Sequence, residues 1–262
     1  MKNFFIVIGT LFFGFGPVFS YNQSNLQCID VYPKEWHNIY FKTIPNLAID
    51  EIGNIYAVDN RMQIFYKIDV FTDEATAFSH PGEGPGELQH PANICLSGEK
   101  LLIKDDVAIN IFDIDGNFID RFRIFTPIIS LAADNQYIYV GTTGGEKLID
   151  IYTFQGKRLA SFGGKYQVPS GIYEGWPDSF IEKVLNKGKI IIGKEYIYFV
   201  SYLFSDLYQY DRHGSLIRKM TIEEDDRVVK EVKKYYFSQG QKRTPGKGGF
   251  RFYKNTYLYR AS

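Results

Sequence analysis

Apolar and aromatic residues occur along this chain in short runs that are separated by turn-forming residues. Within residues 47–91 these runs are divided by Gly53, by the polar segment 59–63 and by the glycine-rich segment 82–86. Short runs that are rich in β-branched and aromatic side chains predict β-strands joined by tight turns. Three or four such strands make one small antiparallel sheet, so segment 47–91 is predicted to be a single structural unit.

The same arrangement returns three more times along the chain. Gly116, Gly156 and Gly214 occupy the same hairpin position in the second, third and fourth copies. Repeats of short strands with a period of about 40 residues are typical of β-propeller blades. The pattern therefore predicts an all-β fold, a β-propeller with about four full blades, at residues 46–90, 91–126, 127–165 and 188–221.

Two further segments depart from the repeat. Residues 166–187 lengthen the connection between the third and fourth copies and are interpreted as an inserted loop. Residues 222–249 combine an amphipathic helix with a basic loop. Helical periodicity after the capping box of Thr221 and Glu224 places that helix near 222–237. Residues 250–262 are interpreted as the start of a fifth blade. Because a ring of sheets must close, we expect the chain to be truncated or to lack further C-terminal blades.

The N-terminus has the pattern of a secretory signal peptide. Lys2 precedes an apolar run that is shorter than a spanning helix requires, and residues 18–20 resemble a cleavage site. We predict removal of residues 1–20, a location in the periplasm, at the cell surface or outside the cell, and no stable membrane insertion afterwards. Residues 21–45 are interpreted as a lead-in that supplies a closing strand.

Composition narrows the classes of partner. Aromatic residues make up 17% of the chain, which favours strands, and the formal net charge of zero gives no general attraction to nucleic acid or to anionic membranes. Nucleic acid is therefore not an expected partner. The two cysteines, Cys28 and Cys95, could form one disulfide, or Cys95 could be a buried thiol within its apolar run.

One segment concentrates titratable side chains. The glycine-rich segment 82–86 is followed by Pro91 and another strand, so it does not have the strand and helix that flank a nucleotide-binding loop. It is interpreted as the crossover between two blades. Candidate ligand contacts lie in and around it, although solvated loop residues are the alternative interpretation; these candidates are His80, Glu83, Glu87 and His90. No catalytic residue, metal ligand or cofactor is assigned.

Asp113, Asp115 and Asn117 superficially resemble a calcium loop. The glycine and the final glutamate of such a loop are not at the required spacing. The residue before the hairpin glycine is Asp115, Gln155 or His213 in successive copies, which favours a turn that tolerates any polar neighbour.

The chain resembles the six-bladed NHL-like β-propellers of bacterial secretomes. The resemblance is carried by residues 50–59, 82–91 and 112–118 and extends over residues 47–220. It implies a six-bladed ring but little chemistry, because this fold hosts binding modules and enzymes alike. Since the repeats carry no catalytic motif, we expect a non-enzymatic binding or scaffolding role toward a protein, peptide or glycan. The alternative is a metal-dependent hydrolase or lyase with its site in the central channel, as in some similar propellers. The third and fourth copies depart from the family pattern because they lack the full glycine-rich crossover.

Overall fold

The computed structural model describes residues 41–43, 46–69, 71–72, 74–167, 178–204 and 206–221. These residues form four separate four-stranded sheets, in which the strands are hydrogen-bonded in chain order. We call the sheets blades A to D. Blade A contains β1 (Asn46–Ile49), β2 (Ile55–Asp59), β3 (Ile64–Ile68) and β4 (Ala75–Phe78), and blade B contains β5 (Pro91–Ser97), β6 (Lys100–Asp105), β7 (Ala108–Asp113) and β8 (Phe118–Arg123). Blade C contains β9 (Ile128–Ala133), β10 (Ile138–Thr142), β11 (Ile149–Tyr152) and β12 (Arg158–Phe162), and blade D contains β13 (Gly188–Ile192), β14 (Ile197–Ser201), β15 (Asp206–Tyr210) and β16 (Leu216–Thr221).

The first strand of each blade is the inner strand of the assembly. β1 contacts β5, β5 contacts β9, and β9 contacts β13, so the four blades are arranged around a common axis. All strand pairs within the blades are antiparallel. This is the architecture of a β-propeller, and the prediction of an all-β propeller is confirmed. The number of blades in the complete ring stays a prediction.

Three apolar clusters hold neighbouring blades together. The cluster between blades A and B contains Tyr56, Phe65 and Leu88, and equivalent clusters join B to C and C to D. The middle strands β2 and β10 are buried at every position, whereas the outermost strands β4, β8 and β16 are exposed at half or more of their positions. Burial on both faces explains why the middle strands read as continuous apolar runs in the sequence.

The hairpin glycines fit against aromatic rings of the preceding blade. Each lies between the third and fourth strands of its blade, and φ is 86° at Gly116, 78° at Gly156 and 85° at Gly214. A Cβ atom on Gly156 would lie 2.6 Å from Cγ of Phe122, and one on Gly214 would lie 2.6 Å from Cγ of Phe162. A Cβ atom on Gly116 would collide with Phe78 in the same way. Only glycine satisfies both the backbone conformation and the contact.

The polar residues beside these glycines form hydrogen bonds within the turn. One oxygen of Asp113 accepts hydrogen bonds from the amides of Asp115 and Asn117, and the other accepts one from the Asn117 side chain. The Asn117 side chain contributes most to lowering the pKa of Asp113. Asp211 accepts the amides of His213 and Ser215 in the same geometry. The interpretation of this position as a turn is confirmed.

Residues 166–187, interpreted from sequence as an inserted loop, contain a short helix. Helix α1 (Asp178–Leu185) has two turns, and its Ile181 is buried. Asn186 fixes the end of the helix by donating to the carbonyl oxygen of Glu182 and by exchanging two hydrogen bonds with the backbone of Tyr166. Two turns give too few apolar positions for a periodic signal, which is why the sequence pattern did not indicate this helix.

Several predicted features lie outside the described residues. They are the signal peptide at 1–20, most of the lead-in at 21–45, the helix and basic loop at 222–249, and the start of a fifth blade at 250–262. Cys28 also lies there. Cys95 is half-buried against the cluster between blades B and C, and burial raises its pKa to about 12. It has no disulfide partner among the described residues, and its pairing with Cys28 stays untested.

The contact between Gly156 and Phe122 gives a stability prediction. Gly156→Ala forces alanine into a left-handed conformation and pushes its methyl group into the Phe122 ring, so we expect a loss of about 2–4 kcal/mol in the free energy of unfolding. The measurement is urea unfolding of the purified chain.

The matched control for this substitution is Gly164→Ala. Gly164 has no atom within 4 Å of its Cβ position, and we expect a change within about 0.5 kcal/mol. Equal stability of the two variants would contradict a blade contact that depends on Gly156.

Candidate functional site

The predicted ligand contacts lie on one face of the propeller, which we call the crossover face. This face is formed by the connections from the outer strand of one blade to the inner strand of the next, together with the loops between second and third strands. Because neighbouring strands are antiparallel, these two sets of loops open at the same end of each sheet. His80, Glu83, Glu87 and His90 all belong to the crossover from blade A to blade B.

Glu87 is the centre of that crossover. One carboxylate oxygen lies 2.9 Å from Nε2 of His80, and the other accepts the amide of Gly84 at 2.8 Å. The pKa of Glu87 is lowered, mainly by the Gly84 amide and then by His80. A Cβ atom on Gly82 would collide with the Glu87 carboxylate, so the glycines leave room for the loop to close around it.

Glu83 and His90 point to other partners. Glu83 accepts a hydrogen bond from the side chain of Gln89 at 2.8 Å, and its carbonyl oxygen accepts one from Arg121 at 3.1 Å. His90 is bound through its backbone amide to Asp105, while its residue as a whole is exposed. The structure therefore pairs the side chains of His80 and Glu87, while the side chain of Glu83 and the backbone amide of His90 bind other groups. Their contact with a ligand stays a prediction.

Two buried aspartates were not singled out by the sequence analysis. Asp59 and Asp105 end the second strands of blades A and B, and both are almost fully buried. Asp105 accepts the amides of Gln89 and His90, and Asp59 accepts the amides of Lys42 and Thr43. Each carboxylate thus holds the segment that leads into the inner strand of its own blade. Their shared position in two repeats is the signal that could have identified them.

The pKa of Asp59 reflects this bonding. Burial by itself raises the pKa, but the hydroxyl of Thr43 at 2.8 Å and the amides of Met62, Lys42 and Thr43 outweigh it, so the pKa is lowered. The ionised form is therefore the one that the folded state prefers.

A cavity of about 440 Å³ lies further around the same face. Its walls come from the loop between β10 and β11, the segment after β12, and helix α1; the lining residues are Gly145, Glu146, Lys147, Gly164, Lys165, Gln167 and Glu182. The ammonium group of Lys165 donates to the carbonyl oxygen of Thr143 at 2.9 Å and lies 3.4 Å from a carboxylate oxygen of Glu182. Glu146 and Lys147 are exposed at its rim.

The inner strands of the described blades carry few ionisable side chains, in contrast to the cavity. β1, β5, β9 and β13 contain no Asp, Glu or His, and their one charged side chain is Lys189. Within the described ranges no group of three or more His, Cys, Asp or Glu side chains is arranged to hold a metal ion. The alternative of a metal site in the central channel stays a prediction.

No helix among the described residues is long and apolar enough to cross a membrane.

Comparison with known proteins does not assign the chain to a family. No family model matches the chain, and no curated protein matches it. Among solved structures the chain is similar to a streptogramin B lyase, with 13% identity, a TM-score of 0.49, and coverage of 69% of this chain and 55% of that chain. It is also similar to BamB from Moraxella catarrhalis, with 18% identity, a TM-score of 0.45, and coverage of 68% of this chain and 53% of that chain.

The chain spans about half the length of these solved structures. At these identities and TM-scores no chemistry is transferred to the chain. The assignment to the class of β-propellers rests on its own four sheets and their shared axis.

The bonding of Asp59 predicts how stability depends on pH. A lowered pKa in the folded state means that the stabilisation is present above the ordinary aspartate pKa, near 4, and is lost as the pH falls through the folded value. We expect Asp59→Asn to lower stability at neutral pH and to flatten the decline of stability below pH of about 5, as measured by thermal unfolding across a pH series.

Asp120→Asn is the control, because Asp120 is exposed and, among the described residues, its carboxylate accepts only the adjacent amide of Arg121. If stability declines at acid pH in Asp59→Asn as it does in the unmodified protein, Asp59 does not hold the segment before β1.

Proposed function

We propose that the protein is an exported, non-enzymatic binding propeller that takes a peptide segment at the cavity on its crossover face. The observation that carries this proposal is the place of the cavity. It lies where the insertion between blades C and D brings helix α1 beside the loop between β10 and β11. An insertion that is not needed to connect two blades is a common location for binding residues on a rigid scaffold.

The chemistry of the walls supports a peptide as ligand. The rim carries one acidic and one basic exposed side chain, Glu146 and Lys147, and the floor contains the ion pair of Lys165 and Glu182. Gly145 and Gly164 line the cavity beside these charges. Charges of both signs in a polar cavity complement a peptide that carries polar and charged side chains.

The crossover from blade A to blade B is a less suitable ligand site than the cavity. His80, Glu83 and Glu87 all have partners within the loop, so its polar groups serve to close the joint between two blades. Groups that are already hydrogen-bonded gain little from a ligand, since binding would first break those bonds. The crossover is therefore the weaker of the two candidates.

Peptide binding is tested with an array of synthetic peptides of acidic, basic and neutral sequence. We expect selective binding that Glu146→Gln and Lys147→Gln each weaken about 2- to 10-fold, because the two side chains are exposed at the rim. Lys157→Gln is the matched control, because Lys157 is exposed in the turn between β11 and β12 at the opposite end of blade C.

Three results would count against this function. They are the absence of binding to every peptide, an equal effect of the control variant, and selective binding on a glycan array alone. The last result would assign the cavity to a carbohydrate.

Export is a separate part of the proposal and rests on the N-terminal sequence. We expect the chain, produced with its own N-terminus in a bacterium, to appear outside the cytoplasm with Tyr21 as its first residue. Mass spectrometry of the fractionated protein measures this. A protein that keeps residues 1–20 would contradict cleavage.

A further inference from the structure

A buried amide without a partner lies between blades A and B. Asn110, in β7, is fully buried, and neither its side-chain nitrogen nor its side-chain oxygen has a hydrogen-bond partner in the part of the chain that the structure describes. Nε of Arg121 is also buried and has no partner there. Unpartnered buried groups of this kind are rare in folded proteins, and each calls for a physical explanation.

These groups belong to one small site. Asn110 and Arg121 are directly opposite each other on β7 and β8, so their side chains lie on the same face of blade B. Phe112, two residues along the same strand, packs in the cluster between blades A and B, which places Asn110 on the side that faces blade A. The site therefore lies inside the joint between the two blades.

The rest of the Arg121 side chain is held in place by the crossover. Nη1 donates to the carbonyl oxygen of Glu83 at 3.1 Å, and Nη2 lies 3.9 Å from a carboxylate oxygen of Asp105. That carboxylate already accepts the amides of Gln89 and His90. Leu88, which is fully buried, packs in the same cluster between the blades. Asn110 is enclosed within β7, and these contacts hold Arg121 beside it.

We propose that the joint between blades A and B contains a buried water site that bridges Asn110 and Nε of Arg121. The unpartnered groups are two donors, Nδ2 of Asn110 and Nε of Arg121, and one acceptor, Oδ1 of Asn110. Water both donates and accepts, and buried waters usually make about three hydrogen bonds to groups of this kind.

Ions do not match the hydrogen-bonding groups of this site. An anion would leave the Asn110 oxygen unpartnered and would approach the Asp105 carboxylate, while a cation would be repelled by Arg121. The water therefore links β7 to β8 within blade B, and the Arg121 side chain itself binds the crossover from blade A. Together they add to the hydrogen bonds that Asp105 makes to the same segment.

The direct test is a crystal structure of the full chain, with a second crystal soaked in bromide. We expect electron density for water within hydrogen-bond distance of the Asn110 side chain and of Nε of Arg121. An anomalous bromide peak at Arg121, a dry site, or direct bonding of both side chains to protein groups would overturn the proposal.

The energetic test compares the same substitution at two buried asparagines. Asn186 is as buried as Asn110 but has three direct hydrogen bonds. If water satisfies Asn110, both Asn110→Val and Asn186→Val lose hydrogen bonds, and each lowers Tm by about 2–4 °C. If the site is dry, Asn110→Val removes an unpartnered amide. An unchanged or higher Tm for that variant, beside a lower Tm for Asn186→Val, overturns the proposal.

Discussion

The contact between a hairpin glycine and an aromatic ring of the preceding blade is the constraint on which the described structure depends. It occurs at Gly116, Gly156 and Gly214, each with a positive φ and each against a phenylalanine of the blade before it. A small sheet with two apolar faces cannot be stable alone, because it must bury both faces against neighbours. The glycine allows the tight turn, and the missing side chain allows the neighbouring ring to pack against it. Local turn chemistry and packing between blades therefore depend on the same residue.

The second constraint is the bonding of the connections between blades. Asp59 and Asp105 hold the segments that lead into the inner strands, and Glu87 closes the crossover around its own carboxylate. These polar groups are used for the fold, although their residue types first suggested chemistry. The insertion between blades C and D is longer than a connection between blades requires, because the neighbouring crossover from blade B to blade C is made by residues 124–127. This is the physical basis for our proposal that binding occurs at the cavity beside helix α1.

The sequence predicted the architecture well and the candidate site only in part. Strand runs and hairpin glycines are local signals, and they led to the correct fold class. The candidates His80, Glu83, Glu87 and His90 were grouped because they are close in sequence, but their hydrogen bonds divide them. Helix α1 and the cavity were not predicted, because a two-turn helix has almost no periodicity and the cavity is lined by segments that are distant in the chain.

The sequence by itself determined the repeating strands, their turns and the class of fold, because strand periodicity and glycine conformation depend on neighbouring residues. Tertiary structure alone decided which polar residues are partnered. Asp105 meets the amides of Gln89 and His90 only because β6 ends beside the crossover, and Asn110 is enclosed only because blade A packs against blade B. Burial and hydrogen bonding between segments that are far apart in the chain depend on how the blades pack, which no local pattern encodes.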